Sequence, residues 1–201
     1  ILKKNKKLML KGFFISGTDT NVGKTIVSSV IVNKLDAIYY KPIQCGLDEK
    51  GNKDSDTVKK ICKKSTIWDE TYFFKNPLSP NVAARKEGKI IRMSEFKKII
   101  TKKREKKLII EGAGGLNVPI NDRKLIVDLV SFFNLPVILV CRTSLGTINH
   151  TLLSIDLLKY KKIKLHGLIF VGKRMKETQE TIRKFGKKIY GKEINVLARI
   201  P

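Results

Sequence analysis

Six short apolar runs recur along the chain, at residues 12–16 (GFFIS), 37–41 (AIYYK), 107–111 (KLIIE), 136–141 (PVILVC), 167–171 (GLIFV) and 194–198 (INVLA). None alternates apolar with polar residues, so each reads as a strand buried on both faces of a parallel sheet. Amphipathic stretches at 24–35, 94–103, 147–160 and 176–190 predict helices between them. Strand alternating with helix implies an α/β sandwich of three layers: a mostly parallel sheet with helices on both faces and right-handed crossovers. At 201 residues the chain suits a single domain over 1–201. Residues 42–89 break the rhythm. They are polar and turn-rich, with DEKGNKDSD and KNPLSPN, and helical pieces are expected near 56–63 and 81–88. An excursion this long, leaving the carboxyl end of a strand, is a natural carrier of site residues.

Composition removes several function classes. No apolar run approaches the ~18 residues that would span a bilayer, so no membrane partner is expected. Near the start, KKNKK precedes LMLKGFFIS, where Lys11 interrupts any signal-peptide core. MLKGFF from Met9 reads as the more natural beginning, which makes residues 1–8 an expected N-terminal extension. Cys45, Cys62 and Cys141 are scattered without a CxxC pair, which fits a reducing cytoplasm and gives no metal-ligand spacing. Two histidines, His150 and His166, make a His-based zinc site an unlikely use of this chain. The formal charge of +24 admits two readings, a surface for nucleic-acid phosphates or compositional drift toward lysine. The basic residues are mostly lysines in doublets, such as Lys59–Lys60, Lys97–Lys98 and Lys161–Lys162, without one basic arm or interleaved aromatics. That spread favours drift, and no nucleic-acid partner is expected. The charge can still draw anionic ligands.

The candidate chemistry begins at GTDTNVGKT, residues 17–25. The usual phosphate loop reads GxxxxGK[ST], which would place its first glycine at residue 18. Thr18 stands there and Gly17 lies one position earlier, so this loop is one residue longer. Its setting is nevertheless that of a P-loop. An apolar strand enters, and a helix leaves near Thr25 with Ile26, Val27, Val30, Ile31 and Leu35 expected on its buried face. Free amides at a helix start suit phosphate oxygens. Gly23 permits close approach, Lys24 can bridge terminal phosphates, and the Thr25 hydroxyl can reach magnesium. Magnesium also needs carboxylates. Glu111 ends the run LIIEGAGG at a strand's carboxyl end, where open α/β sheets bind ligands. Asp56 lies in KDSDTVKK at a helix start, where capping is the competing role for this Asp and for Asp54 or Ser55.

These motifs, in order, resemble the dethiobiotin synthetase family. GTDTNVGKT at 17–25 is similar to that family's longer phosphate loop, and YYKPIQCG at 39–46 to its lysine-proline strand end. DSD (54–56), SPNVAA (79–84), IEGAGG (110–115), LPVILV (135–140) and LGTINH (145–150) continue the likeness over about residues 12–171. The resemblance implies a P-loop NTPase-type fold, a homodimer with its sites at the subunit interface, and three small-molecule substrates: 7,8-diaminononanoate, carbon dioxide and magnesium-ATP. It implies that Asn21, Val22, Gly23, Lys24, Thr25, Ile26, Asp56, Glu111, Gly112, Ala113 and Gly114 line the nucleotide. Thr25, Asp56 and Glu111 would hold magnesium, and Lys24 and Lys41 would be catalytic. Thr20, Lys41, Cys45 and Asn149 would meet the substrate. Under that reading two cations beside the diamine disfavour its ammonium form, leaving an amine able to attack carbon dioxide.

Some positions depart from the family. Cys45 stands where members often carry serine or threonine; as a nucleophile it would lack a histidine nearby in sequence. Asn149 could equally be a helix-surface residue. Val171 and Gly172 replace the usual adenine-reading asparagine-aspartate pair, which leaves base specificity open. The chain ends at Pro201, where the family continues into a further base-contacting loop. A partition-type ATPase switch that binds DNA or a partner protein is the rival from another class. Those proteins usually carry a second lysine early in the loop, and residues 16–20 contain none. A glutamine-dependent amide-forming synthetase would need room for an added domain. A relative without chemistry is disfavoured by Lys24, Thr25, Lys41, Asp56 and Glu111 together.

Overall fold

In the computed structural model, which describes residues 10–201, β1 (Gly12–Gly17) leads through the phosphate loop into α1 (Lys24–Leu35) and β2 (Ile38–Tyr40). The expected extension at 1–8 lies outside the described residues. The excursion holds β3 (Ile43–Cys45), α2 (Asp54–Ile61), β4 (Ile67–Trp68), β5 (Tyr72–Phe74) and α3 (Pro80–Lys86). A 3-10 turn at Met93–Phe96 runs into α4 (Lys97–Thr101), which divides the helix expected over 94–103. There follow β6 (Leu108–Gly115), β7 (Pro119–Asn121), β8 (Lys124–Leu125) and α5 (Ile126–Phe133). The chain then forms β9 (Val137–Arg142), α6 (Thr147–Tyr160), β10 (Leu165–Val171), α7 (Lys176–Tyr190) and β11 (Val196–Ile200).

Seven strands build one sheet in the order β11-β10-β9-β1-β6-β2-β4, and every neighbouring pair is parallel. The apolar runs fill two separate cores because successive side chains of a strand face opposite ways. Phe14, Tyr40, Ile110, Leu139 and Phe170 belong to one cluster, together with Leu129 and Val130 of α5 and Ile155 of α6. Ile15, Tyr39, Ile109, Val140 and Ile169 belong to the other, with Val27 and Val32 of α1 and Val58 of α2. Helices on both faces thus explain why no strand shows polar alternation.

One expectation about α1 is corrected. Its buried residues are Lys24, Val27, Ser28, Ser29 and Val32, while Ile26 and Val30 are 42% and 49% exposed. Ile26 and Val30, four positions apart, share the outward stripe of the helix. Two serines occupy the inward one: the Ser29 hydroxyl is satisfied by the Thr25 carbonyl at 2.8 Å.

Candidate active site at the phosphate loop

β1 is flanked by β9 and β6, and the chain leaves it toward β2 on the far side of β6. Its carboxyl end therefore opens into the crevice where such sheets bind ligands. Gly23 caps α1 with φ 91°, and a Cβ there would stand 3.0 Å from the Val171 side chain. Only glycine takes both that backbone angle and that contact without strain. The first turn of α1 has neither a side-chain cap nor an acidic residue, so its amides remain available to an anion. The surplus residue is absorbed in an arch over residues 18–21, with Asn21 in the left-handed region at φ 54°. Lys24 Nζ donates to the Asp19 carbonyl at 2.8 Å, inside that arch.

Behind the loop sits a cluster of buried charge. Glu111, fully buried at the end of the apolar half of β6, accepts hydrogen bonds at both oxygens. Its Oε1 takes the Thr25 hydroxyl at 3.0 Å and Lys41 Nζ at 3.1 Å; its Oε2 takes the Tyr39 hydroxyl at 3.1 Å. Lys41 Nζ also forms an ion pair with Asp54 of α2. Tyr39 and Lys41 are two positions apart and reach the same side of the sheet, whereas Tyr40 enters the opposite core. Buried charges survive only when paired and hydrogen-bonded, and each of these is.

The two lysines respond differently to this setting. Burial, then the nearby Lys41 charge, pulls Lys24 down from the ordinary lysine range to about 8. Burial also works against the charge on Lys41, but Glu111 and Asp54 outweigh it and hold its ammonium above the ordinary range. Burial and the Glu111 charge push the Tyr39 phenol well up, so it stays a donor. The mutual repulsion of two cations is therefore felt at Lys24, while Lys41 keeps its proton.

The two aspartates of α2 take different partners. The carboxylate beside Lys41 belongs to Asp54, whereas Asp56 Oδ2 accepts the Lys53 amide at 2.9 Å in a capping box. Residues two apart on a helix point roughly 200° apart, so only one of the pair can face the sheet in this pose. Among the described residues no three His, Cys, Asp or Glu side chains gather as a metal cluster. The donor set at the loop is instead the Thr25 hydroxyl, Glu111 and one α2 carboxylate. These are hard oxygens in the small number that suits magnesium, an ion that keeps waters and takes phosphate oxygens.

The other expected residues are distributed around this centre. Gly112 packs on Phe14, whose ring would lie 2.9 Å from a Cβ, and Gly114 turns at φ 65°. Half-buried Ala113 lies between them, and Val22 is buried under the loop. Thr20 is exposed, its hydroxyl 3.7 Å from where a Gly114 Cβ would stand. Ile26 points outward from α1. Cys45, half-buried at the end of β3, has its thiol pushed up to about 11 by burial, which leaves it protonated and poorly nucleophilic. Asn149 is exposed on the first turn of α6. At the end of β10, Val171 packs on Gly23, and Arg199 Nη1 donates to the Gly172 carbonyl at 2.8 Å. Two members of the site, Tyr39 and Arg142, went unnoticed in the sequence. Alternation with Lys41 was the available signal for Tyr39; for Arg142 it was a position ending the strand beside β1.

Comparison with known proteins agrees with this geometry. A family model described as an AAA domain matches residues 11–201. The ATP-dependent dethiobiotin synthetase BioD of Christiangramia forsetii is 44% identical over 191 residues, covering 92% of this chain and 87% of the relative. That of Agrobacterium fabrum is 40% identical over 176 residues (87% and 81%), and that of Brucella melitensis biotype 2 is 39% identical over 189 residues (93% and 84%). Among solved structures, a ParA family ATPase from Chlorobium tepidum TLS superposes with a TM-score of 0.54 at 14% identity, covering 96% of this chain and 84% of that one. That likeness is one of fold alone. At 39 to 44% identity across most of its residues, the chain belongs to the dethiobiotin synthetase family.

Proposed function

We propose that this chain is an ATP- and magnesium-dependent ligase that makes dethiobiotin from 7,8-diaminononanoate and carbon dioxide in biotin synthesis. The observation that carries the reading is the convergence of Lys24, Thr25, Lys41 and Glu111 at the mouth of the phosphate loop. A neutral amine of the diamine attacks carbon dioxide and loses a proton, giving a carbamate. A carbamate oxygen then attacks the terminal phosphorus of ATP, and ADP leaves. The second amine attacks the carbamoyl carbon, the ring closes, and phosphate departs with the bridging oxygen.

Each residue has a task in that sequence. The amides of the Gly23–Thr25 turn bind phosphate oxygens, and Lys24 neutralises charge on the transferring phosphoryl group. Lys41, held cationic by its carboxylates, faces the carbamate, and the pair of cations disfavours a protonated diamine beside them. The Thr25 hydroxyl, Glu111 and an α2 carboxylate would hold magnesium, which would supply charge neutralisation on the phosphates. Proximity favours Asp54 as that carboxylate; Asp56, the position the family resemblance implies, would have to give up its cap on Lys53. Thr20 lies at the substrate side, and Cys45 lines the same approach as a protonated thiol. The reading includes a cytoplasmic homodimer in which residues 145–147 and Asn149 receive the substrate carboxylate from the partner's site. Leu145, fully exposed, and Leu153, 61% exposed, suit such an interface. Among the described residues no helix is long and apolar enough to cross a membrane.

The test is direct. Purified protein given diamine, bicarbonate, magnesium and ATP should release dethiobiotin, ADP and phosphate in equal amounts. Nucleotide hydrolysis without dethiobiotin would refute the assignment.

A further inference from the structure

The arch that makes the phosphate loop longer has few main-chain ties. The Thr18 amide donates to the Val140 carbonyl at 3.0 Å, and the Thr20 amide closes on the Asp19 carboxylate at 2.7 Å. Among the described residues, no main-chain donor reaches the carbonyl of Asp19 or of Thr20. Two side-chain cations take them instead. Lys24 Nζ holds the Asp19 carbonyl at 2.8 Å from within, and Arg142 Nη2 holds the Thr20 carbonyl at 2.5 Å from outside. Arg142 ends β9, the strand hydrogen-bonded to β1, and its guanidinium lies 3.7 Å from the Asp19 carboxylate.

We propose that Arg142 is a positioning residue that fixes the Thr20 end of the phosphate loop, and with it the Thr20 hydroxyl at the substrate mouth. This inference rests on the ligase reading for its catalytic consequence but not for its structural one. Lys24 is buried and is the residue required by the phosphates, so its hold on the Asp19 carbonyl competes with nucleotide binding. The hold by Arg142 has no such competitor. Its Nη2 alone makes both contacts, the bond to the Thr20 carbonyl and the longer approach to the Asp19 carboxylate. The Asp19 pair is half exposed and contributes little by itself. The charge-assisted bond to the carbonyl is the effective tie. Without the tie, the left-handed turn at Asn21 is free to relax and carry Thr20 away from Gly114.

Hydrogen exchange and steady-state kinetics on Arg142→Ala and Arg142→Lys separate the possibilities. With MgADP bound, Arg142→Ala should exchange the amides of residues 18–22 roughly tenfold faster than wild type, with exchange in α7 unchanged; one lost charge-assisted bond has about that effect. Its KM for the diamine should rise roughly tenfold, while kcat and MgADP affinity stay within about twofold. Arg142→Lys, which keeps one donor, should fall between. Unchanged exchange in the arch of either variant overturns the proposal, as does a loss of MgADP affinity with an unchanged diamine KM. If the wild type makes no dethiobiotin yet the arch loosens in the variants, the ligase reading fails and the tie stands.

Discussion

The cleft at the carboxyl ends of the strands has two ends built from different materials. At the phosphate end, Thr25 of α1, Tyr39 of β2, Lys41 just after it, Asp54 of α2 and Glu111 of β6 bond to one another, with Lys24 buried close by. At the end of β10, the Val171 side chain packs on Gly23, Gly172 lies against Thr143, and Arg199 donates to the Gly172 carbonyl. Buried side-chain charge specifies a reaction, because each group is fixed and cannot be exchanged for water. Main chain and aliphatic surface can read a base only through backbone donors and acceptors and through shape. On the ligase reading, the difference teaches that side chains fix the phosphate end of the site, while at the β10 end the described residues lack the asparagine-aspartate pair the family resemblance would put there.

Substitutions should therefore have effects that fall steeply from one end to the other. Lys41→Gln and Lys24→Ala should each lower kcat/KM for dethiobiotin formation by about 10³-fold or more, the scale for lost cations at a transferring phosphoryl group. Glu111→Gln removes the anion shared by Lys41, Thr25 and Tyr39, and should weaken magnesium-dependent nucleotide binding at least tenfold by titration calorimetry. At α2 the two aspartates should separate. Asp54→Asn should reduce turnover about tenfold or more with little change in melting temperature, because it frees Lys41 from one partner. Asp56→Asn should cost about 1 kcal/mol of stability through the weakened cap and leave turnover nearly intact. The reverse pattern would place Asp56 at the metal. The smallest effects belong to the β10 end: ATP, GTP and CTP should differ in kcat/KM by no more than about tenfold. A preference for ATP well beyond that would show that a discriminating contact exists there.

The sequence made the fold legible wherever an element had a marked end. α1, α6 and α7 run over the expected residues because Gly23 and Gly146 precede the first two in left-handed conformation and Gly191 follows the third. α5 was not anticipated. Its run IVDLVSFF directly follows the β7–β8 hairpin and is so apolar that periodicity alone separates it poorly from a buried strand. The two-stranded sheet of β3 and β5 inside the excursion was equally hidden, since it arises from pairing across α2 and β4. In the site, Lys24, Thr25 and Glu111 were readable because strand end, glycine turn and residue type coincide. Lys41 came from a resemblance, and the structure adds its carboxylates. The roles of Asp54 and Asp56 were ambiguous because spacing does not say where the first helical turn begins, and a shift of that start exchanges the inward residue. For Arg142 the strand-end position is legible but the contact is not, because its partner is a carbonyl 122 residues away in the chain.

In the proposed reaction, one oxygen of carbon dioxide becomes bonded to the terminal phosphorus of ATP. Short reactions begun with ¹⁸O-labelled bicarbonate, diamine and MgATP, followed by mass analysis of the phosphate, test it directly. One labelled oxygen should appear in phosphate for each dethiobiotin formed, and the Lys41→Gln variant, slowed by about 10³-fold, should release almost no labelled phosphate in the same time. Unlabelled phosphate released alongside dethiobiotin by the wild type would contradict it.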